Sequence, residues 1–145
     1  MIYIESIKPA ANTTEKNAIS KTFKVWKGVI HSIDVLIPPG HAGLAKLQIY
    51  HEGHIIMPTN EDEFISGGDS VIRGKFFIDL KNLTNDIFLK AWNDDDTYDH
   101  EFIIHMGVLP KFALLAAGAT EGIVRSLKSL FLRERPPIPG PPEGT

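Results

Sequence analysis

A chain of 145 residues, 43% hydrophobic and 23% charged, has the length and composition of one globular domain with a real core. Its formal net charge of −3 supplies no global field that would draw it to nucleic acid or to an anionic membrane. Without cysteine, disulfides and thiolate metal sites are excluded, and no stretch reaches the roughly 18 apolar residues that span a bilayer.

The first residues have neither a basic start nor a long apolar run. No signal peptide is therefore expected, and the chain reads as a soluble protein made inside the cell. Ile2 and Ile4 alternate with Tyr3 and Glu5, which predicts a short strand stopped by Pro9. Residues 11–20 are polar and lack periodicity, so they read as a linker. Residues 1–21 are thus expected to form an N-terminal arm.

Residues 22–110 alternate apolar and polar positions in short segments divided by turn residues. A strand containing Phe23, Val25 and Trp26 is expected to end at Gly28. The clearest strand covers 29–37, with Val29, His31, Ile33, Val35 and Ile37 on one face. Pro38-Pro39-Gly40-His41-Ala42-Gly43 closes it with turn chemistry. Residues 46–51 return, with Leu47 and Ile49 facing one way; Glu52-Gly53 sits where a tight hairpin demands positive φ, and Ile55-Ile56-Met57 completes the pair. Residues 61–66 read as a short edge strand before the Gly67-Gly68-Asp69 turn. A strand over 71–80 places Phe76, Ile78 and Leu80 together and has a bulge candidate at Gly74. A turn at 81–85 then leads to a strand over 86–92 with Ile87, Leu89 and Ala91 inward. The acidic loop 93–96 precedes a last strand through Phe102, Ile104 and Met106. Seven or eight short strands with no helical spacing predict an all-β fold, an antiparallel β-sandwich of jelly-roll-like type.

Residues 111–145 change character. Ile123, Val124, Leu127, Leu130 and Phe131 recur at helical spacing opposite Arg125, Lys128 and Arg133, which predicts an amphipathic helix. The run from Arg133 through Arg135 to Pro142 is proline-rich and expected to be an extended, polyproline-like tail. An apolar helix followed by a stiff tail is the shape of an arm that packs on a neighbour. Ile123, Val124, Leu127, Leu130, Phe131, Arg133 and Arg135 are its expected partner-binding residues.

Few residues suggest chemistry. His41, His51 and His54 lie close together around Glu52, and His51 and His54 could approach across the hairpin, yet no metal-ligand spacing is present. His31, placed on the apolar face, reads as a hydrogen-bonded core or interface residue. Asp94-Asp95-Asp96 is the densest acidic run, but the glycine and closing glutamate of an EF-hand loop are missing. A solvated loop is the simpler account, with these three aspartates as weak calcium candidates. Asp34, Glu52, Glu63 and Asp79 offer no fixed catalytic pair, and neither a nucleophile elbow nor a phosphate loop is present. No enzyme activity and no cofactor are expected. Trp26 and Trp92, with Tyr50 and Tyr98, could line a sugar-binding platform, although such residues also serve sandwich cores.

The run Val29-Ile30-His31-Ser32-Ile33-Asp34-Val35-Leu36-Ile37-Pro38-Pro39-Gly40-His41-Ala42-Gly43-Leu44, with Ala91-Trp92-Asn93-Asp94-Asp95-Asp96-Thr97-Tyr98-Asp99-His100, resembles small β-sandwich structural proteins of tailed bacteriophages. The resemblance covers about residues 22–109 and transfers no individual binding residue. It implies a virion component: a capsid decoration or accessory subunit, homo-oligomeric, assembled in the host cytoplasm, and bound to the major capsid or another virion protein through terminal arms. Nucleic acid and membrane are not expected partners. The alternative is a carbohydrate-binding or calcium-dependent module for host attachment, built on Trp26, Trp92 and the aspartate loop.

Overall fold

The computed structural model describes residues 1–113 together with Ala116, Gly118 and Arg125. Apart from Arg125, the helix expected around Ile123–Phe131 lies outside the described residues, as does the proline-rich tail. The chain divides into two compact units, Met1–Lys111 and Phe112–Thr145.

The first unit is all-β and antiparallel. Its strands are β1 (Ile2–Ile7), β2 (Ile19–Ile37), β3 (Ala45–His51), β4 (His54–Met57), β5 (Ser70–Asn93) and β6 (Phe102–Leu109), with a single 3₁₀ turn at Glu15–Asn17. They form one six-stranded sheet in the order β1-β6-β2-β5-β3-β4. The spine is the β2–β5 ribbon, paired from Ile19↔Ala91 to Ile37↔Ser70. β6 pairs with the second half of β2, and β3 pairs with the second half of β5. The inward side chains of both halves meet in a single core that includes Val25, Ile33, Val35, Leu47, Ile87, Leu89, Phe102 and Ile104.

Beyond β1, the described unit has five strands where the sequence suggests seven or eight, and two expected breaks account for most of the difference. Gly28 does not end a strand, and 81–85 is not a hairpin turn; both belong to one irregularity within the ribbon. Between the pairs Trp26↔Thr84 and Gly28↔Leu80, β2 contributes Lys27 while β5 contributes Lys81, Asn82 and Leu83. The Asn85 side chain replaces the lost ladder bonds: its Nδ2 donates to the Asn82 carbonyl (2.8 Å), and its Oδ1 accepts from the Asn82 N–H (3.3 Å). Asn and polar neighbours signal a turn equally well when the chain bulges and continues, because the local demand for a substitute hydrogen bond is the same. Close approach fixes Gly28 at this point: a Cβ there would stand 2.6 Å from the Leu109 carbonyl oxygen.

A second bulge sits two residues beyond the Gly74 candidate. Between Ile30↔Ile78 and Ser32↔Lys75, one β2 residue opposes Phe76 and Phe77. It reverses the alternation in β2, so Ile30, Ile33, Val35 and Ile37 are inward and buried, while His31 leaves the apolar face on which the sequence placed it. Residues 61–66 contribute only a bridge, Leu47↔Ile65, closed by two backbone bonds. The hairpin turn is as expected, with φ of 51° at Glu52 and 80° at Gly53.

The N-terminal segment, expected as an arm, pairs within its own chain. β1 adds to β6 from Ile2↔Gly107 to Ile7↔Phe102. Its inner face reaches β2, where the Trp26 backbone N–H donates to the Tyr3 hydroxyl (3.0 Å) and Lys21 pairs with Glu5 (2.6 Å). The linker is also fastened: Thr13 bridges to Asn93, and the Asn12 N–H donates to the Asp95 carbonyl (2.7 Å). An apolar strand with an available partner gains more from completing ladder hydrogen bonds than from remaining solvated.

Candidate functional site

Four strands present one outward face. Their registers align Ser6, Ile103, Leu36 and Val71 in one row, Ile4, His105, Asp34 and Arg73 in the next, and Ile2, Gly107, Ser32 and Lys75 in the third. Side chains alternate sides along a strand, so each row lies on the surface opposite the core. β1 is inverted relative to its hydrophobic pattern: Tyr3 and Glu5 turn inward and are half-buried, while Ile2 and Ile4 face outward and are 75% and 63% exposed. Val71 is 44% exposed at the opposite border of the same face. Gly107 makes room at the centre, because a Cβ there would meet His31 Nε2 and Ser32 Oγ at 2.5 Å. The face is thus apolar along its β1 margin and at Val71, with His31, Asp34 and His105 between the margins and Arg73 and Lys75 beside Val71 on β5.

The residues expected to bind sugar or calcium do not share a groove. Trp26 is exposed on the outer side of the ribbon, whereas Trp92 is buried beneath the Phe64 ring (5.6 Å) with the Lys90 ammonium over it (5.2 Å). Trp26 pairs with Thr84, eight positions before Trp92 on β5, a path of about 26 Å along a strand. The aspartates diverge. Asp94 pairs with Lys46, Asp96 Oδ1 accepts from the Thr97 hydroxyl (2.7 Å), and Asp99 Oδ1 accepts from the Ala11 N–H (2.9 Å). Asp95 turns inward, where Oδ1 accepts from the Thr97 and Tyr98 N–H groups and Oδ2 lies 2.8 Å from His100 Nε2. The Thr97 N–H, then His100, then the Tyr98 N–H hold its carboxyl below the ordinary 3.8. This geometry ties a loop to the body.

The histidines also separate. His51 and His54 are register partners across the hairpin, as expected, but His41 packs on the His100 ring (4.5 Å) and edge-on to Phe102 (5.0 Å). Among the described residues, no group of three or more His, Cys, Asp or Glu side chains is arranged to hold a metal ion. His41 is 1% exposed and neither ring nitrogen has a hydrogen-bond partner. Burial first, and His100 second, hold its pKa below 6.5, while the Glu101 backbone works the other way. His100 and the inverted β1 were hidden from sequence reasoning: a long-range ring contact leaves no spacing signature, and alternation identifies a strand's two faces without saying which one turns inward. The arm residues Ile123, Val124, Leu127, Leu130, Phe131, Arg133 and Arg135 lie outside the described residues.

No family model, curated protein or solved structure matches the chain.

Proposed function

We propose that this protein is a non-enzymatic structural subunit, a capsid decoration or accessory component of a virus particle, that binds copies of itself and a neighbouring shell protein. The observation that carries the reading is the outward display of Ile2 and Ile4 on a regular, paired strand. Exposed apolar side chains on a rigid sheet are preorganised for a partner, because little conformational freedom remains to be lost on binding. Fully burying such a side chain contributes about 1.5–3 kcal/mol, so a few across one face sustain a specific contact. The resemblance of the 29–44 and 91–100 runs to phage structural proteins supplies the setting.

In this reading the long β2–β5 ribbon folds over to give a jelly-roll-like sandwich. The N-terminal segment grips through its outward side chains, and the predicted helix around Ile123–Phe131 and the stiff tail act as the free arm. Repetition over a lattice turns modest contacts into avidity.

Light-scattering mass across a concentration series, with and without the proteins encoded by its genomic neighbours, tests the proposal. An oligomer or a co-assembly is expected, and Ile4→Lys should weaken it while leaving the fold intact. A chain that stays monomeric at every concentration and binds none of those proteins overturns the reading.

A further inference from the structure

The β3–β4 hairpin turn and the bulged stretch of β5 border two adjoining depressions outside the sheet face described above. One, of about 450 Å³, has Tyr50, Phe88 and Thr22 in its wall. The other, of about 260 Å³, is lined by His51, Asn82 and Thr84. Glu52 and Asp86 border both. The register explains the meeting: Tyr50 pairs with Phe88 and His51 with Ile87, so the next position of the turn, Glu52, comes abreast of Asp86.

No lysine or arginine lines either depression. Glu52 and Asp86 are exposed, and neither has an ion-pair partner among the described residues. Lys24 is the register partner of Asp86, yet it borders neither depression. The aromatic wall is ordered: Tyr50 and Phe88 meet edge to face at 6.0 Å, and the Tyr50 hydroxyl donates to Gln48 Oε1 (2.9 Å). His51, on the polar side, is only 7% exposed, and its Nε2 has no hydrogen-bond partner.

We propose that this double depression binds an organic cation, the ammonium of a lysine-like group or the guanidinium of an arginine-like one, with its charged head between Glu52 and Asp86 and its alkyl stem along Tyr50 and Phe88. Carboxylates attract the charge and accept its N–H donors, and aromatic rings favour a cation or its methylene stem over an anion. The inference goes beyond the subunit reading and stands or falls without it, because a small free probe suffices.

Backbone NMR titration of the full chain with n-butylammonium and n-butylguanidinium tests it, with methyl α-glucoside and propionate as neutral and anionic comparisons. Saturable shifts confined to Glu52, Gly53, Asp86 and Phe88 are expected, weakened by salt and by at least about tenfold in the Glu52→Gln, Asp86→Asn double variant. Both changes are isosteric and exposed, so the fold should persist, and the unperturbed remainder of the spectrum reports it. Cadaverine and a blocked lysine peptide then separate a free polyamine from a protein side chain as the source; tight binding of either supports the site. Absent or scattered shifts, unchanged affinity in the double variant, or equal occupation by the glucoside overturns it.

Discussion

Among the described residues, some buried polar side chains replace backbone bonds and others are left without partners. Asn85 belongs to the first kind, since both ends of its amide serve Asn82 at the bulge. Asn85→Ala leaves those groups unpaired and should destabilise the protein by about 1–3 kcal/mol in urea unfolding. His41 belongs to the second, with two partnerless nitrogens against His100 and Phe102. Because its folded pKa lies below 6.5, the unfolded chain takes up a proton there that the folded chain refuses. Stability contributed by neutral His41 is therefore complete above 6.5 and declines as pH falls beneath it. Asp95 adds a later step, because its folded pKa lies below 3.8: its contribution is present above that value and lost as pH falls through the lowered one. Melting temperature measured from pH 8 to pH 3 should fall in these two windows. His41→Leu should remove the first, leave the second, and cost little at neutral pH, because it removes two unpartnered polar atoms from the core.

At the scale of the element, β2 and β5 decide the architecture. Each is long enough to serve both halves of the sheet, and each changes neighbours at the bulges: β6 flanks β2 only from Val29 onward, and β3 flanks β5 only from Ile87 onward. A bulge strengthens local twist and bends the strand, which lets one ribbon take different neighbours along its length. Gly28 permits this where β2 passes closest to the end of β6, since the Leu109 backbone leaves no room for a methyl group. Gly28→Ala should cost about 1–3 kcal/mol of unfolding free energy. Gly40→Ala, by contrast, meets no atom within 4 Å and is penalised only by its φ of 97°; the two variants separate crowding from backbone strain.

At the scale of the whole molecule, the outward face of β1, β6, β2 and β5 joins fold to function. Exposed isoleucines lie at one margin and Val71 and Arg73 at the other, with His31, Asp34 and His105 between, so charge and apolar area occur on the same rigid surface. A partner that covers this face should respond differently to two substitutions. Ile4→Lys should shorten the lifetime of the complex by removing buried apolar area, whereas Arg73→Glu should change the association rate and its salt dependence, because a charge at the border acts at long range. Surface plasmon resonance at two ionic strengths separates the effects, and deletion of residues 111–145 measures what the C-terminal segment adds.

Strand type, most inward positions and the positive-φ hairpin at Glu52-Gly53 were legible in the sequence, because alternation and turn chemistry are local properties that a few residues encode. Phe102, Ile104, Met106, Ile87 and Leu89 are buried as their spacing predicts. Continuity was not legible: the polar stretches at 27–28 and 81–85 carry the same signature whether the chain turns back or bulges onward, and only the opposing strand selects between them. The sequence likewise could not say which side of β1 faces the core, why His31 leaves it, or that Glu52 would stand beside Asp86. Each of these is a relation between strands distant along the chain, and pairing register, a cooperative property of the assembled sheet, is what decides it.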